Sequence, residues 1–324
     1  MRTWTTRLLK SEVAMTDKKK SSIRQKMEQA SKEIIKSDDE ISLFKQQIHS
    51  SKIVSDAVKE AKKEIQHPPH EQMTLSFMPT SMTRTSPFFP MSRQQMKDRT
   101  PEKLTFPTAW GEVSFTGQRL SIYDESILLN LLFLTIKNQS AEFLTTQHEI
   151  CRLMSVTPAK STYESIWNSI DRMTETNIKL KIYSGVGRKR KLSQEMTGNI
   201  ISFAGRDHKT GKLKVVLNPY FIDTYAEGLL TNIDIKFRTS LSGDITKSLY
   251  RFFQSQRPLY DQGKYTVSLL KLCTAINLTG EPFRLRSRIR AGLKELKTKG
   301  YFYRYQIDKN DLVTVWQKQN RISK

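Results

Sequence analysis

The chain has 324 residues, enough for two domains and an extension, and its 54 Lys+Arg against 32 Asp+Glu give a formal net charge of +22. Such a surface attracts polyanions, nucleic acid first and anionic membrane second, but no apolar run is long enough to span a bilayer and Met1–Arg7 lack the apolar core of a signal peptide. Two cysteines give neither a disulfide framework nor a zinc site, which places the protein in a reducing compartment.

Residues 1–100 read as a basic arm and linker, largely disordered or marginally helical. Ile23, Met27, Ala30, Ile34, Ile41, Phe44 and Ile48 recur at heptad-like spacing, interrupted by Ser37 and Ser51. Two readings stay open: a marginal amphipathic helix on a flexible arm, or a helix that pairs with a partner or a second copy. His67-Pro-Pro-His70 ends it, because proline lacks the amide hydrogen. Residues 71–100, rich in Met, Pro, Ser and Thr, read as a linker. Within it, Gln72, Met73, Leu75 and Phe77 form an extended docking-peptide pattern or a plain apolar linker.

Folded structure is expected from Lys103. Lys103–Phe106 and Glu112–Phe115 alternate as strands. Ser121-x-x-Asp124 has the form of a capping box, and Ile122 to Ile136 is apolar nearly all round, a buried central helix. Next come a strand at Phe143–Thr145, a helix at Gln147–Met154, a turn with Pro158, a helix at Ser161–Thr174, and strands at Asn177–Tyr183, Asn199–Ala204 and Lys212–Leu217. The plan then repeats. Ile233–Phe237 reads as a strand and Asp244–Gln256 as a helix. Tyr265–Val267 is a strand, Ser268–Ile276 a helix and Phe283–Lys299 a longer helix. Tyr301–Ile307 and Leu312–Trp316 form a hairpin around Asp308–Asp311. Phe143–Thr157 aligns without a gap on Tyr265–Thr279, with Ile150 on Leu272, Cys151 on Cys273 and Met154 on Ile276. The expected fold class is α+β: two tandem winged-helix domains, at 101–228 and 229–324, behind a flexible, partly helical arm.

The helix Phe283–Lys299 carries the strongest chemistry. Leu285, Ile289, Leu293 and Leu296 form an apolar stripe, while Arg284, Arg286, Ser287, Arg288, Arg290, Lys294 and Lys297 fill the remaining circumference, opposed only by Glu295. Such a helix fits a major groove, with arginines suited to guanine edges and lysines to phosphates; the alternative is a solvated basic face. On Ser161–Thr174, Ser165, Asn168, Ser169 and Arg172 face away from the core stripe, a weaker signal that a solvated polar surface also explains. Arg188, Lys189, Arg190 and Lys191 sit between predicted strands, suited to phosphate or a minor groove. His49, His67, His70, His148 and His208 lack metal-ligand spacing, and no ATP-binding P-loop occurs. The expectation is no active site, no cofactor and no metal.

Residues 105–317 resemble TrfA-type plasmid replication initiators. The carriers are Gly111–Leu120 (Gly-Glu-Val-Ser-Phe-Thr-Gly-Gln-Arg-Leu), Val216–Phe221 (Val-Leu-Asn-Pro-Tyr-Phe), Ser248–Phe253 (Ser-Leu-Tyr-Arg-Phe-Phe), Arg288–Leu296 followed by Gly300-Tyr301, and Arg84–Phe89 in the linker. The resemblance implies tandem winged helices that bind repeated origin sequences (iterons), promote duplex opening and recruit a host initiator or helicase in the bacterial cytoplasm. It also implies monomers active at the origin and dimers that restrain replication. Gln72–Phe77 is similar to peptides that dock on the β sliding clamp, with Met73 where Leu is usual. The alternatives are a winged-helix transcriptional repressor and, less favoured, an origin-nicking enzyme.

Overall fold

A computed structural model describes residues 75–84, 86–107, 111–138, 140–184, 191–218, 230–256, 260–261 and 263–317. All of them fall within the unit Ile53–Lys324. The chain opens with β1 (Leu75–Pro79), α1 (Thr80–Arg84), β2 (Phe88–Phe89) and α2 (Arg93–Lys97). β3 (Pro101–Pro107), β4 (Gly111–Gln118) and β5 (Leu120–Ser121) lead into α3 (Ile122–Asn138). Then come β6 (Glu142–Thr146), α4 (Gln147–Met154), α5 (Lys160–Glu175), β7 (Asn177–Ser184), β8 (Lys191–Asn199), β9 (Ile201–Arg206) and β10 (Lys212–Leu217). β11 (Leu230–Asp234) and α6 (Ile235–Ser240) precede α7 (Asp244–Gln256), β12 (Lys264–Ser268), α8 (Leu269–Ala275), α9 (Pro282–Thr298), β13 (Arg304–Ile307) and β14 (Leu312–Trp316).

One plan occurs twice: a long helix, a strand, two helices joined by a turn, then a hairpin. In both copies the strand before the helix pair joins the closing hairpin, giving the sheets β6-β10-β9 and β12-β14-β13 with the last strand in the middle. Local chemistry repeats too. α4 starts on Thr146, whose side chain accepts from Glu149 N, and α8 on Ser268, which accepts from Lys271 N. Each turn passes through a left-handed residue, Ser155 (φ 55°) and Asn277 (φ 54°). Val156 N then donates to Cys151 O and Leu278 N to Cys273 O. Ile150, Cys151, Leu272, Cys273 and Ile276 are buried as the alignment of the two stretches requires.

Some expectations change. The hairpin β7–β8 is an insertion in the first copy, paired through β7 to β4 in the sheet β3-β4-β7-β8. Thus Lys191 opens a strand, and Asn199 ends it. The strand expected at Ile233–Phe237 stops at Asp234, whose side chain accepts from Phe237 N and turns the chain into α6.

The linker reading fails for residues 75–100. Leu75–Pro79 pairs antiparallel with Leu230–Asp234, Ser76 Oγ donates to Leu129 O at 2.8 Å, and Leu75 and Phe77 are only 7% and 6% exposed. A clamp-docking peptide needs those anchors free, so burial corrects that expectation; Gln72 and Met73 lie outside the described residues, as does the heptad-like stripe of the arm. Phe88 is fully buried beside Leu120, where β2 and β5 run parallel. Asn277 Nδ2 donates to Ser86 O at 2.5 Å, so this segment fastens to both halves.

α3 is apolar nearly all round because it packs on β1, β2, β5, β6, α4, α5 and α7. Its first turn holds two consecutive buried carboxylates. Asp124 accepts from Ser121 N and Oγ, closing the expected cap, and pairs with Arg172 at 2.6 Å and Arg99 at 3.5 Å. Glu125 pairs with Arg251 at 2.7 Å and Arg238 at 3.0 Å. Burial pushes the Arg251 guanidinium below its ordinary value, with Glu125 opposing the shift. No helix among the described residues is long and apolar enough to cross a membrane.

Glu125→Ala leaves Arg238 and Arg251 buried without a carboxylate, so stability should fall by about 3–5 kcal/mol. Urea unfolding checks this; a midpoint equal to the wild type's would show that the cluster does not hold the halves.

Candidate nucleic-acid interface

α9 begins with Pro282 and turns Ile289, Gly292, Leu293 and Leu296 into the core. Gly292 permits a close crossing: a Cβ there would lie 2.7 Å from Leu249 Cδ1 of α7. In α5 the same spacing puts buried Ser169, Ile170 and Met173 inward. Ser169 was expected on the binding face; it is fully buried, because its position is the counterpart of that crossing.

Outward, α9 presents two exposed rows at helical spacing. One is Phe283, Ser287, Arg290 and Lys294; the other is Arg284, Arg288 and Ala291. Lys297 is also exposed. Small Ser287 and Ala291 run along the outward midline, with cations on both flanks. Arg284, Arg288, Arg290, Lys294 and Lys297 form no ion pair among the described residues. The lone acid is turned away: Glu295 accepts from Ser242 N (2.6 Å), Ser242 Oγ (3.0 Å) and Thr246 Oγ1 (2.7 Å). Burial pushes its carboxyl up, but these hydrogen bonds and Lys299 together hold it below the ordinary value. The helix therefore offers five cations outward and no carboxylate.

Arg286 differs from its neighbours. Its guanidinium binds the Asp311 carboxylate, Asp308 O at 2.7 Å and Ile307 O at 3.4 Å. Asp311 is left-handed (φ 55°), and its carbonyl also accepts from Leu269 N at 2.7 Å. Arg286 thus ties α9 to the β13–β14 turn and the start of α8. Counting it among the free base-reading arginines is corrected: it lies beside the apolar stripe, within reach of the hairpin.

The first copy is poorer in free charge. Ser165 and Asn168 of α5 are exposed, as expected. Arg172 is not available, since it is spent on Asp124. Arg206 of β9 lies over the Trp167 ring at 4.9 Å and pairs with Glu164 at 3.2 Å. The β9–β10 turn is shaped by Asp207, which accepts from Lys209 N and Thr210 Oγ1 and so has a lowered pKa, with Gly211 at φ 67°. Between that turn and the start of α5 lies a cleft of about 230 Å³, lined by Gln147, Lys160, Tyr163, Glu164, Arg206 and His208.

α5 and α9 begin without a side-chain cap and without an acid in the first turn. No capping side chain therefore competes for the first-turn amides of α5; in α9 the first residue, Pro282, has no amide hydrogen, which leaves those of Phe283 and Arg284 without a cap. Lys191 is exposed at the start of β8; Arg188, Lys189 and Arg190 lie outside the described residues. Along the same sheet, Lys179 pairs with Glu195 and Lys181 with Glu112. Among the described residues no group of three or more His, Cys, Asp or Glu is arranged to hold a metal ion. Spacing could not reveal Arg286's anchoring or Glu295's hydrogen bonds to the start of α7. Phe283 was overlooked as an exposed ring beside the arginines, although Pro282-Phe283 marks the helix start.

The chain is similar in fold to a crystal structure of domains 2 and 3 of RctB, at 13% identity and a TM-score of 0.54, covering 74% of this chain and 98% of that one. A second structure of RctB domains 2–3 is 12% identical with a TM-score of 0.48, covering 74% and 97%. The MSBI1.176 WH1 domain, described as a replication protein isolated from a multiple sclerosis patient, is 11% identical with a TM-score of 0.24, covering 33% and 83%. No protein-family model and no curated protein matches the chain.

Arg286 and Arg288 should separate in experiment. Arg288→Ala should weaken duplex binding by about 1–3 kcal/mol and leave unfolding unchanged. Arg286→Ala should lower stability by about 1–2 kcal/mol through the loosened hairpin. Anisotropy titration and urea unfolding of both variants check this, and identical profiles would contradict the assignment.

Proposed function

We propose that the protein is a plasmid replication initiator of TrfA type that acts by binding DNA, without catalysis of its own. Its working parts are two winged-helix domains, at 101–228 and 229–324. The observation that carries the reading is the outward face of α9, with five cations that form no ion pair among the described residues and its only acid turned sideways onto Ser242 and Thr246. The sequence resemblance across 105–317 supplies the biological context.

α9 enters the major groove of a repeated origin sequence, and α5, with its uncapped start and the Lys191 hairpin, meets the same duplex. Holding two units on one duplex bends or strains it and assists melting of a neighbouring A·T-rich segment. Host replication proteins are recruited to the opened origin. The site of action is the bacterial cytoplasm, with monomers active and dimers restraining replication.

The test is a marker plasmid whose only replicon is this gene with its flanking DNA. The wild type should support replication, and Arg284→Ala with Arg288→Ala should abolish it. Footprint protection without replication would return a transcriptional repressor. Site-specific nicking of supercoiled flanking DNA with Mg²⁺ would overturn the non-enzymatic reading. In binding titrations, Lys294→Ala with Lys297→Ala should reduce the slope of log K against log salt by up to about 0.9 per lost phosphate contact. An unchanged slope would remove these lysines from the interface.

A further inference from the structure

Phe283 is the most exposed large hydrophobic side chain among the described residues, at 82%. An exposed aromatic ring alone needs no explanation. Its place does. It is the second residue of α9, it stands in one row with Ser287, Arg290 and Lys294, and no acid shares its turn. Residues at i, i+4, i+7 and i+11 lie on one side of a helix, so a duplex that meets Arg290 and Lys294 also meets the ring. The starting half of the second helix is where a helix-turn-helix reaches base edges. Small Ser287 beside the ring lets the helix backbone come close to the groove floor.

We infer that Phe283 is a specificity-determining residue that reads the C5-methyl group of a thymine in the major groove. This rests on the DNA-binding reading of α9. Of the four bases, thymine alone carries an apolar group on its major-groove edge; the others offer hydrogen-bond donors and acceptors that a phenyl ring cannot satisfy. Arg284 and Arg288 on the adjacent row suit guanine. The start of α9 therefore selects thymine close to guanine, with the ring buried only in the complex. Leu270, 77% exposed at the start of α8, lies on another helix and is not part of this row.

The test uses the full chain and a library of random duplexes. Sequences enriched by the wild type are resynthesised with deoxyuridine replacing each thymine in turn, which removes one methyl group and keeps the base pair. At one position the wild type should bind the uracil duplex about fourfold more weakly, the worth of burying about one methyl group. Phe283→Ala should bind both duplexes equally, and Phe283→Leu should retain part of the difference. Because the ring is exposed, these variants should unfold like the wild type. The proposal falls if no thymine position distinguishes uracil, or if Phe283→Ala keeps the wild-type ratio; the ring then serves a protein contact or none. Failure to enrich any sequence would overturn the DNA-binding reading itself, and this proposal with it.

Discussion

The structure depends on two neighbouring carboxylates at the start of one helix. Consecutive helical residues point about 100° apart, so Asp124 and Glu125 face different neighbours. Asp124 meets Arg172 of the first copy and Arg99 just ahead of β3, and Glu125 meets Arg251 of the second copy and Arg238 of α6 just ahead of it. Four guanidiniums against two carboxylates is an expensive arrangement in a dry interior, and it gives little net stability over apolar packing. Its effect is on geometry. Each partner is held where a lone buried charge would be intolerable, so the halves are fixed by the same turn of α3.

A second polar contact sets the angle of the second helix in each helix pair. In the first copy Arg172 of α5 reaches the start of α3. In the second, Glu295 of α9 reaches Ser242 and Thr246 at the start of α7. The two residues do the same job with opposite charge. Consequently α5 loses a cation to the core while α9 loses its only acid. This leaves the copies unequal: α9 is strongly basic outward, and α5 presents Ser165 and Asn168 with an uncapped start. Under the initiator reading, α9 reads sequence and α5 follows the backbone.

What the sequence revealed follows the range of each signal. The helices α3, α4, α5, α7, α8 and α9 were legible because apolar spacing and caps are local. The repeat was legible because Ile150 and Leu272, and Cys151 and Cys273, serve equivalent places. β1 was not: five residues covered on both faces show no alternation, and the partner strand Leu230–Asp234 is remote in sequence. Ser169 and Arg172 look outward on a helical wheel, since a wheel cannot show a second helix crossing at that point. Arg286 sits at the edge of the apolar stripe, where only the position of the hairpin decides whether it is free. The outward arginines of α9 were legible, but the removal of Glu295 from their face was not, because its partners Ser242 and Thr246 are 53 and 49 residues away in sequence.

The segment 75–89 adds the last constraint. β1 extends the second half through β11 while Ser76 binds α3, Arg84 donates to Ser255 O at 3.0 Å, and Phe88 lies against Leu120 while Asn277 holds its backbone. A chain that merely linked two domains would let each find its own stretch of duplex. Here the strap and the Asp124–Glu125 cluster both join the halves, so the separation between α5 and α9 is a property of the protein. A duplex that engages both helices must then adopt the spacing and bend that the protein dictates, and the cost falls on the DNA. Flexible pyrimidine–purine and A·T-rich steps bear that cost most cheaply. Under the proposed initiator reading, rigid coupling in the core is thereby the physical means by which binding is turned into strain on an origin.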